Sequence, residues 1–361
     1  MTAPTIAAYV YPGWHPCPER DRRFRPGWSE WDLVLRAKPR FPGHNQPRIP
    51  QKGIYDDSSP ETAAMQARLA RAHGIDLLVY GFFWSRGKRV LYRALDEGFL
   101  GHGGGGDFPF SVMWANRMPR GVLPVKLKPE RVIDPSRLVY TDRGDFLRLI
   151  RYLAENYFSR PSYFRIQGKP LLSIFDSTFF LRQMGCRNCR ETVDRARQIL
   201  ENMGLGGLHL MAVNPAMALC EQFSDAGFDS ITHYVHLPDW KGCYLQDYQT
   251  LTIKRKAEWK GFASTFGLPY FPSVSPGWDA TPRGVMHSGR RPRRYPWWPV
   301  VTGESPDAFS RFLRDAVRFT LAENRPPMVF IASWNEWSEG HYLEPDTRFG
   351  SRWLEAVRQA L

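Results

Sequence analysis

Cysteine is scarce in this chain. Five residues among 361, Cys17, Cys186, Cys189, Cys220 and Cys243, are odd in number and irregularly spaced, which argues against a disulfide framework and fits a reducing compartment. The Cys186-x-x-Cys189 pair has no second close pair to complete a zinc site, so thiols without a metal are the expectation. Long apolar runs are also missing. No stretch is long enough to span a bilayer, and the first strand begins by Ile6 with neither a basic nor an apolar leader before it. The chain as it stands reads as cytoplasmic, or as periplasmic or secreted if a leader was removed, with no membrane partner. No low-complexity linker divides it and no fixed-period repeat is evident, so residues 1–361 are read as one domain. The Gly103 to Gly106 run is too short for a linker and reads as a surface turn. No Gly-x-Gly-x-x-Gly follows the first strand, which argues against a dinucleotide fold, and no cofactor is indicated.

Positive charge and aromatic rings are plentiful. The formal net charge of +13 raises nucleic acid, membranes and acidic polymers as partners. No nucleic-acid module accompanies it, so nucleic acid is not expected. Part of the charge is local: Arg283, Arg290, Arg291, Arg293 and Arg294 precede Tyr295-Pro-Trp-Trp-Pro299, either as a solvated loop or as a site for anionic ligand groups. Aromatic residues make up 14% of the chain, with 13 tryptophans, more than a core of this size requires. Trp14, Trp28, Trp31, Trp84, Trp114, Trp278, Trp334 and Trp337 fall at or just past apparent strand ends, where rings could stack on flat ligand faces.

Short apolar runs of strand length recur at Ile6 to Tyr11, Leu77 to Trp84, Phe110 to Trp114, Leu171 to Phe175, Leu208 to Val213, Ser230 to Val235, Tyr270 to Val274 and Met328 to Ser333. Helical spacing of apolar residues fills Pro60 to His73, Asp145 to Phe158, Arg190 to Met203 and Pro306 to Ala322. Eight strand-helix units imply an α/β fold, a (β/α)8 TIM barrel, with an open doubly wound sheet as the alternative. In a barrel, residues just past each strand converge on one face. Among them here are Tyr11, His15, Trp84, Trp114, Asn116, Asp176, Asn214, Tyr234, Trp278, Asp279, Arg283, Trp334 and Asn335, and Tyr342 farther along the chain is a further candidate contact. The first loop, from Pro12 to Asp57, is unusually long and supplies Trp28, Glu30, His44 and Gln46, as a cleft wall, as an ordered cover for the barrel mouth, or as both.

The densest signal is Phe330-Ile-Ala-Ser-Trp-Asn-Glu-Trp-Ser-Glu-Gly340, where an apolar strand runs straight into Glu336 and Glu339 among tryptophans. Cleavage of a glycosidic bond needs one carboxyl group that donates a proton and another that stays ionised. Glu336 and Glu339 are therefore the candidate catalytic pair, and the strand-end residues above are candidate sugar contacts.

With these stretches in view, the chain resembles glycoside hydrolase family 99-like proteins, including the WbsX-type members associated with polysaccharide biosynthesis. Matching motifs are Tyr11-Pro-Gly-Trp-His-Pro-x-Pro-Glu19, Gly27-Trp-Ser-Glu-Trp31, Ala37-Lys-Pro-Arg-Phe-Pro-Gly-His-Asn-Gln-Pro-Arg48, Trp114-Ala-Asn116, Gly168-Lys-Pro170, Pro276-Gly-Trp-Asp-Ala-Thr-Pro-Arg283, Trp334-Asn-Glu-Trp-Ser-Glu-Gly340 and Leu343-Glu-Pro-Asp346. The resemblance implies a (β/α)8 barrel and retaining, endo-acting cleavage of α-mannosidic bonds without a metal. It also implies that Glu336 deprotonates the sugar's own 2-hydroxyl to give a 1,2-anhydro intermediate, while Glu339 protonates the leaving oxygen and then activates water. Two departures stand near the substrate: Arg117 follows Asn116 where WbsX-type relatives carry Glu, and Gly81-Phe-Phe-Trp84 replaces a stretch that tends to hold His and Tyr. A mannan-like or anionic polysaccharide is the expected partner. A polysaccharide-assembly glycosyltransferase and a non-catalytic glycan-binding barrel are the alternatives, and the oligomeric state is left open.

Overall fold

The computed structural model describes residues 3–116, 141–286, 292–323 and 326–361. Arg117, Arg290 and Arg291 lie outside these.

All eight expected strands form. They are Thr5–Val10, Leu77–Ser85, Phe110–Trp114, Lys169–Ile174, His209–Val213, Ser230–Thr232, a seventh in two pieces at Tyr270–Phe271 and Ser273–Val274, and Met328–Ile331. Each is parallel to its neighbours, and the first pairs with the eighth from Thr5↔Met328 to Ala8↔Ile331. The ring closes through the broken seventh strand. Its first piece pairs with Ile231 and Thr232, and its second with Phe330 and Ile331. Pro272 at the break has no N–H to give the ladder, while its carbonyl accepts Phe330 N at 2.9 Å. The sixth strand stops at Thr232 rather than Val235, because the Tyr234 N–H donates instead to the Asn214 side chain at 3.0 Å.

Side chains alternate across each strand. Ala7, Tyr9, Leu77, Val79, Met113, Met211, Val213 and Phe330 form the cluster inside the barrel, and Ile6, Ala8, Leu78, Tyr80, Phe82, Val112 and Ile331 face the surrounding helices. This parity relocates two expected sugar-stacking residues. Trp84 and Trp114 share the phase of Phe82 and Val112, so they point outward. The Trp84 ring lies 5.0 Å from Tyr152 and its Nε1 donates to Asp145, while Trp114 packs beside Phe146 and Phe180.

The helices Pro60–Ala72 and Arg143–Leu153 start where Ser59 and Asp142 accept N–H bonds from Thr62 and Asp145. Cys186–Asn202 and Pro306–Glu323 cover the expected stretches. Ser177–Met184, Tyr248–Phe266 and Arg352–Ala360 add helices that apolar spacing did not reveal. In Tyr248–Phe266 the buried face includes Thr252 and Arg255 while Ile253 is exposed, which blurs the polar-apolar contrast. Among the described residues no helix is long and apolar enough to cross a membrane. The Gly103 to Gly106 run is a turn at the surface, with Gly103 exposed, but Gly105 within it is buried and a Cβ there would meet Ala67 and Phe99 at 2.9 Å.

The long first loop is ordered across the mouth of the barrel. Trp31 stacks against Trp14 at 4.1 Å and approaches Trp337 at 6.1 Å, and its Nε1 donates to Tyr55 O. It is both cover and wall, since Glu30 enters the site described next.

Candidate active site

The eighth strand delivers its polar cluster through a small hairpin. Asn335–Glu336 pairs antiparallel with His341–Tyr342, and one tight turn over Trp337–Glu339 joins them. Ser333 fixes the hairpin, accepting Glu336 N at 3.0 Å and donating to His341 O at 2.9 Å. Gly340 closes the turn with φ 69°, where a Cβ would meet Asp279 at 2.9 Å. Asn335 joins the hairpin to the first strand: its side chain accepts Tyr11 N at 2.8 Å and donates to Tyr11 O at 3.0 Å.

At the centre of the site is one guanidinium. Arg283 donates from Nε to Glu30 at 2.8 Å, from Nη2 to Glu336 at 2.7 Å, and from Nη1 to Glu339 and to the Tyr295 hydroxyl. The other oxygens of the candidate pair also have donors. Tyr234 OH donates to Glu336 Oε2 at 3.0 Å, Tyr295 OH to Glu339 Oε1 at 2.7 Å, and His341 Nε2 lies 3.2 Å from Glu339 Oε2. Glu30 receives hydroxyls from Tyr11 and Ser338 and an N–H from Arg20. Arg283, Glu30, Glu336 and Glu339 are all buried, so these contacts are made in a low-dielectric interior.

Burial pushes both carboxyls of the pair up, and their different partners send the two in opposite directions. Burial pushes the Glu336 carboxyl well above the usual carboxylate range; Arg283 opposes this, and the charges of Glu339 and Glu30 reinforce it. For Glu339 burial pushes the same way, but Arg283, His341 and Tyr295 together hold the carboxyl down to about 2. Burial also raises the Tyr234 and Tyr295 phenols, so both remain neutral donors, and it lowers His341.

Around this cluster, other expected contact residues serve as braces. Asp279 accepts from Gln46 at 2.6 Å, pairs with His44 at 2.7 Å and donates its N–H to Glu339 O. Despite burial, His44, Arg48 and Gln46 hold its carboxyl below the usual range. These bonds pin the first loop to the segment that carries Arg283. His15 pairs with Asp57 at 2.6 Å. Asn116 exchanges bonds with the Asp176 backbone, and the Asp176 carboxylate caps Ser177–Met184. Asn214 spans Tyr234 N and Phe175 O.

The structure thus gathers Tyr11, Glu30, Tyr234, Arg283, Glu336 and Glu339 around one point. It puts Asn335, Asp279, His44, Gln46, His15, Asn116, Asp176 and Asn214 in framework bonds. The tryptophans expected to stack are buried: Trp14, Trp28, Trp31, Trp84, Trp114, Trp278, Trp334 and Trp337 are all 5% exposed or less. Trp28 packs on Phe24, Trp278 on His341, and Tyr342 stacks on Trp337 while donating to Asp346. Arg20, Tyr295, Ser338 and His341 were not anticipated in the cluster. Ser338 and His341 lie in or beside the Glu336 motif and Tyr295 in the Tyr-Pro-Trp-Trp-Pro stretch, whereas Arg20 gives no sequence signal.

Comparison with known proteins follows the same lines. The sequence model of the family described as "Glycosyltransferase WbsX" matches residues 6–357. A protein of Xanthomonas campestris pv. campestris, described as uncharacterized protein WxcX, is 31% identical over 383 residues that cover 99% of this chain and 49% of the relative. The chain therefore spans about half the length of the curated relatives it matches. In fold it is similar to a family GH99 endo-α-mannosidase from Bacteroides thetaiotaomicron solved with bis-tris propane, at a TM-score of 0.62 and 16% identity over 99% of this chain and 96% of that one. It is also similar to a structure described as a glycoside hydrolase-like protein, at a TM-score of 0.64 and 15% identity over 100% of this chain and 94% of that one.

Proposed function

The chain belongs to the WbsX family, and from that premise we propose that it is a retaining, endo-acting glycoside hydrolase that cleaves an α-linked polysaccharide, mannan-like or anionic. The observation that carries this reading is the buried pair Glu336 and Glu339, bridged by Arg283, with burial raising the one carboxyl and Arg283 holding the other down. In the proposed reaction Glu336 takes the proton of the substrate 2-hydroxyl, that oxygen bonds to the anomeric carbon, and the bond to the leaving oxygen breaks as Glu339 gives it a proton. Water then attacks the anomeric carbon, losing a proton to Glu339, as the bond from that carbon to the 2-oxygen breaks and Glu336 returns its proton to the 2-oxygen. Neither glutamate is glycosylated.

The start of that cycle needs the proton on Glu339 and the charge on Glu336. Because Arg283 holds the Glu339 carboxyl down, binding of sugar must loosen that contact for Glu339 to carry the proton. A sugar hydroxyl that replaces Tyr295 or Arg283 at Glu339 would raise its proton affinity. Arg283 is buried against Glu30, Glu336 and Glu339, whereas Arg293 and Arg294 are exposed and are the arginines proposed to meet an anionic glycan.

The family's own description favours a second reading, in which an acceptor sugar takes the place of water and a glycosyl unit is transferred. Binding of nucleotide sugars by the wild-type protein distinguishes the two. The primary test sets wild type beside Glu339→Gln on α-mannans and anionic polysaccharides, with products resolved by size. Oligosaccharides released by wild type, with turnover lower by about 10²–10⁴-fold in the variant and binding retained, are expected. Full activity in Glu339→Gln would overturn the assignment.

A further inference from the structure

Of the 13 tryptophans, Trp240 alone is exposed, at 52%. An exposed indole contributes little to a core, and its loop would be expected to be loose. Instead the backbone on either side is tied down by two buried side chains. Arg255 donates to Leu237 O at 3.2 Å and Pro238 O at 2.9 Å, immediately before the tryptophan. Gln246 accepts Asp239 N at 2.9 Å and donates to Asp239 O at 2.7 Å and Cys243 O at 3.1 Å, so it spans the turn that carries the ring. Leu245–Asp247 then pairs with Val300–Thr302. The ring is held in place and presented to solvent.

Its position relative to the cluster is equally specific. Trp240 meets Trp278 edge-on, with centroids 5.1 Å apart and planes at 80°. Trp278 lies flat on His341 at 5.5 Å, and His341 is 3.2 Å from Glu339. A continuous aromatic path therefore leads from the candidate proton donor to the surface, and it ends in the one exposed tryptophan face. The buried tryptophans have no comparable face to offer a sugar.

We propose that Trp240 is the stacking platform of an outer sugar subsite, so that the ligand is a glycan chain long enough to reach from Glu339 to this ring rather than a single terminal sugar. The proposal rests on the glycan-cleaving reading for its choice of ligand. An indole already fixed in the free protein binds a pyranose face without the ordering cost of a mobile loop.

The test is calorimetric, with Glu339→Gln as parent and Trp240→Ala and Trp240→Phe added to it. The probes are α-linked mannohexaose, α-linked mannobiose and a hexamer of α-linked guluronate. For at least one hexamer, affinity is expected to fall about 3- to 10-fold in Trp240→Ala and to be largely kept in Trp240→Phe. Mannobiose affinity should be the same in all three proteins. Hexamer affinities unchanged by Trp240→Ala, or a parent that binds neither hexamer, would overturn the platform. If hexamer binding depends on Trp240 but wild type releases no product, the platform stands and the hydrolase reading falls.

Discussion

Arg283 meets three carboxylates through one planar group, and its removal is the sharpest change a single residue can make here. Arg283→Met leaves Glu30, Glu336 and Glu339 buried with their main counter-charge gone, which costs about 3–5 kcal/mol by analogy with broken buried ion pairs. The loss should depend on pH. Without the guanidinium, the burial that pushes Glu339 up is opposed only by His341 and Tyr295, and the expectation is a folded-state pKa above the unfolded value. Such a group contributes stability that is present below the unfolded value and lost as pH rises through the folded one. Arg283→Met is thus expected to be penalised more at pH 8 than at pH 5, in chemical denaturation at each pH; equal penalties would refute the charge argument. In wild type the sign for Glu339 is opposite. With its carboxyl held down to about 2 against an ordinary 4.5, its contribution is present above 4.5 and lost as pH falls toward 2. Arg283→Lys, which keeps the charge but not the fork, tests geometry separately.

At the scale of the strand, parity decides what a side chain can do. Trp114 ends the third strand on the outward phase and is fully buried beside Phe146 and Phe180. Trp114→Ala should cost about 3–5 kcal/mol in unfolding free energy and leave glycan affinity per folded molecule unchanged. A binding defect at full stability would return Trp114 to the cleft. This residue also shows what the sequence could convey. Eight apolar runs separated by helical spacing were enough for the barrel, because burial on both faces makes each strand visible as a hydrophobic block. The same double burial hides which face of a strand end looks into the site, so Trp84 and Trp114 seemed as well placed as Tyr234. Glu336, Glu339 and Arg283 could be found because charged residues interrupt apolar or aromatic stretches there. The roles of Asn335, Asn116 and Asp279 as braces depend on contacts with residues far away in sequence, such as Tyr11 and His44, which no local pattern carries. Arg20 reaches Glu30 from an otherwise unremarked helix, Pro18–Arg23.

For the molecule as a whole, a carboxyl buried behind the site makes its own contribution to how stability responds to pH. Glu344 is almost fully buried and accepts from Tyr55 OH at 2.6 Å, Trp337 Nε1 at 2.8 Å and Gln66 Nε2 at 2.7 Å, which ties together the first loop, its following helix and the hairpin. Burial pushes its carboxyl from an ordinary 4.5 up to about 7, even though Tyr55, Trp337 and Gln66 pull the other way. A folded pKa above the unfolded one means that stability is fully present below about 4.5 and is lost as pH rises through about 7. The shift corresponds to about 3 kcal/mol between those limits, and Glu336, raised for the same reason, acts in the same direction. His209, His233, His236 and His341, lowered by burial, act the opposite way below about 6.5, so the decline owed to Glu344 is read as a difference: the stability of wild type relative to Glu344→Gln, measured by melting, should fall from pH 5 to pH 8. Glu344→Gln cannot ionise, yet its amide oxygen can still accept from Tyr55 and Trp337, so most of this decline should vanish in the variant. A pH dependence as steep as that of wild type would show that Glu344 is not protonated in the folded protein, and that its three donors outweigh the cost of burying its charge.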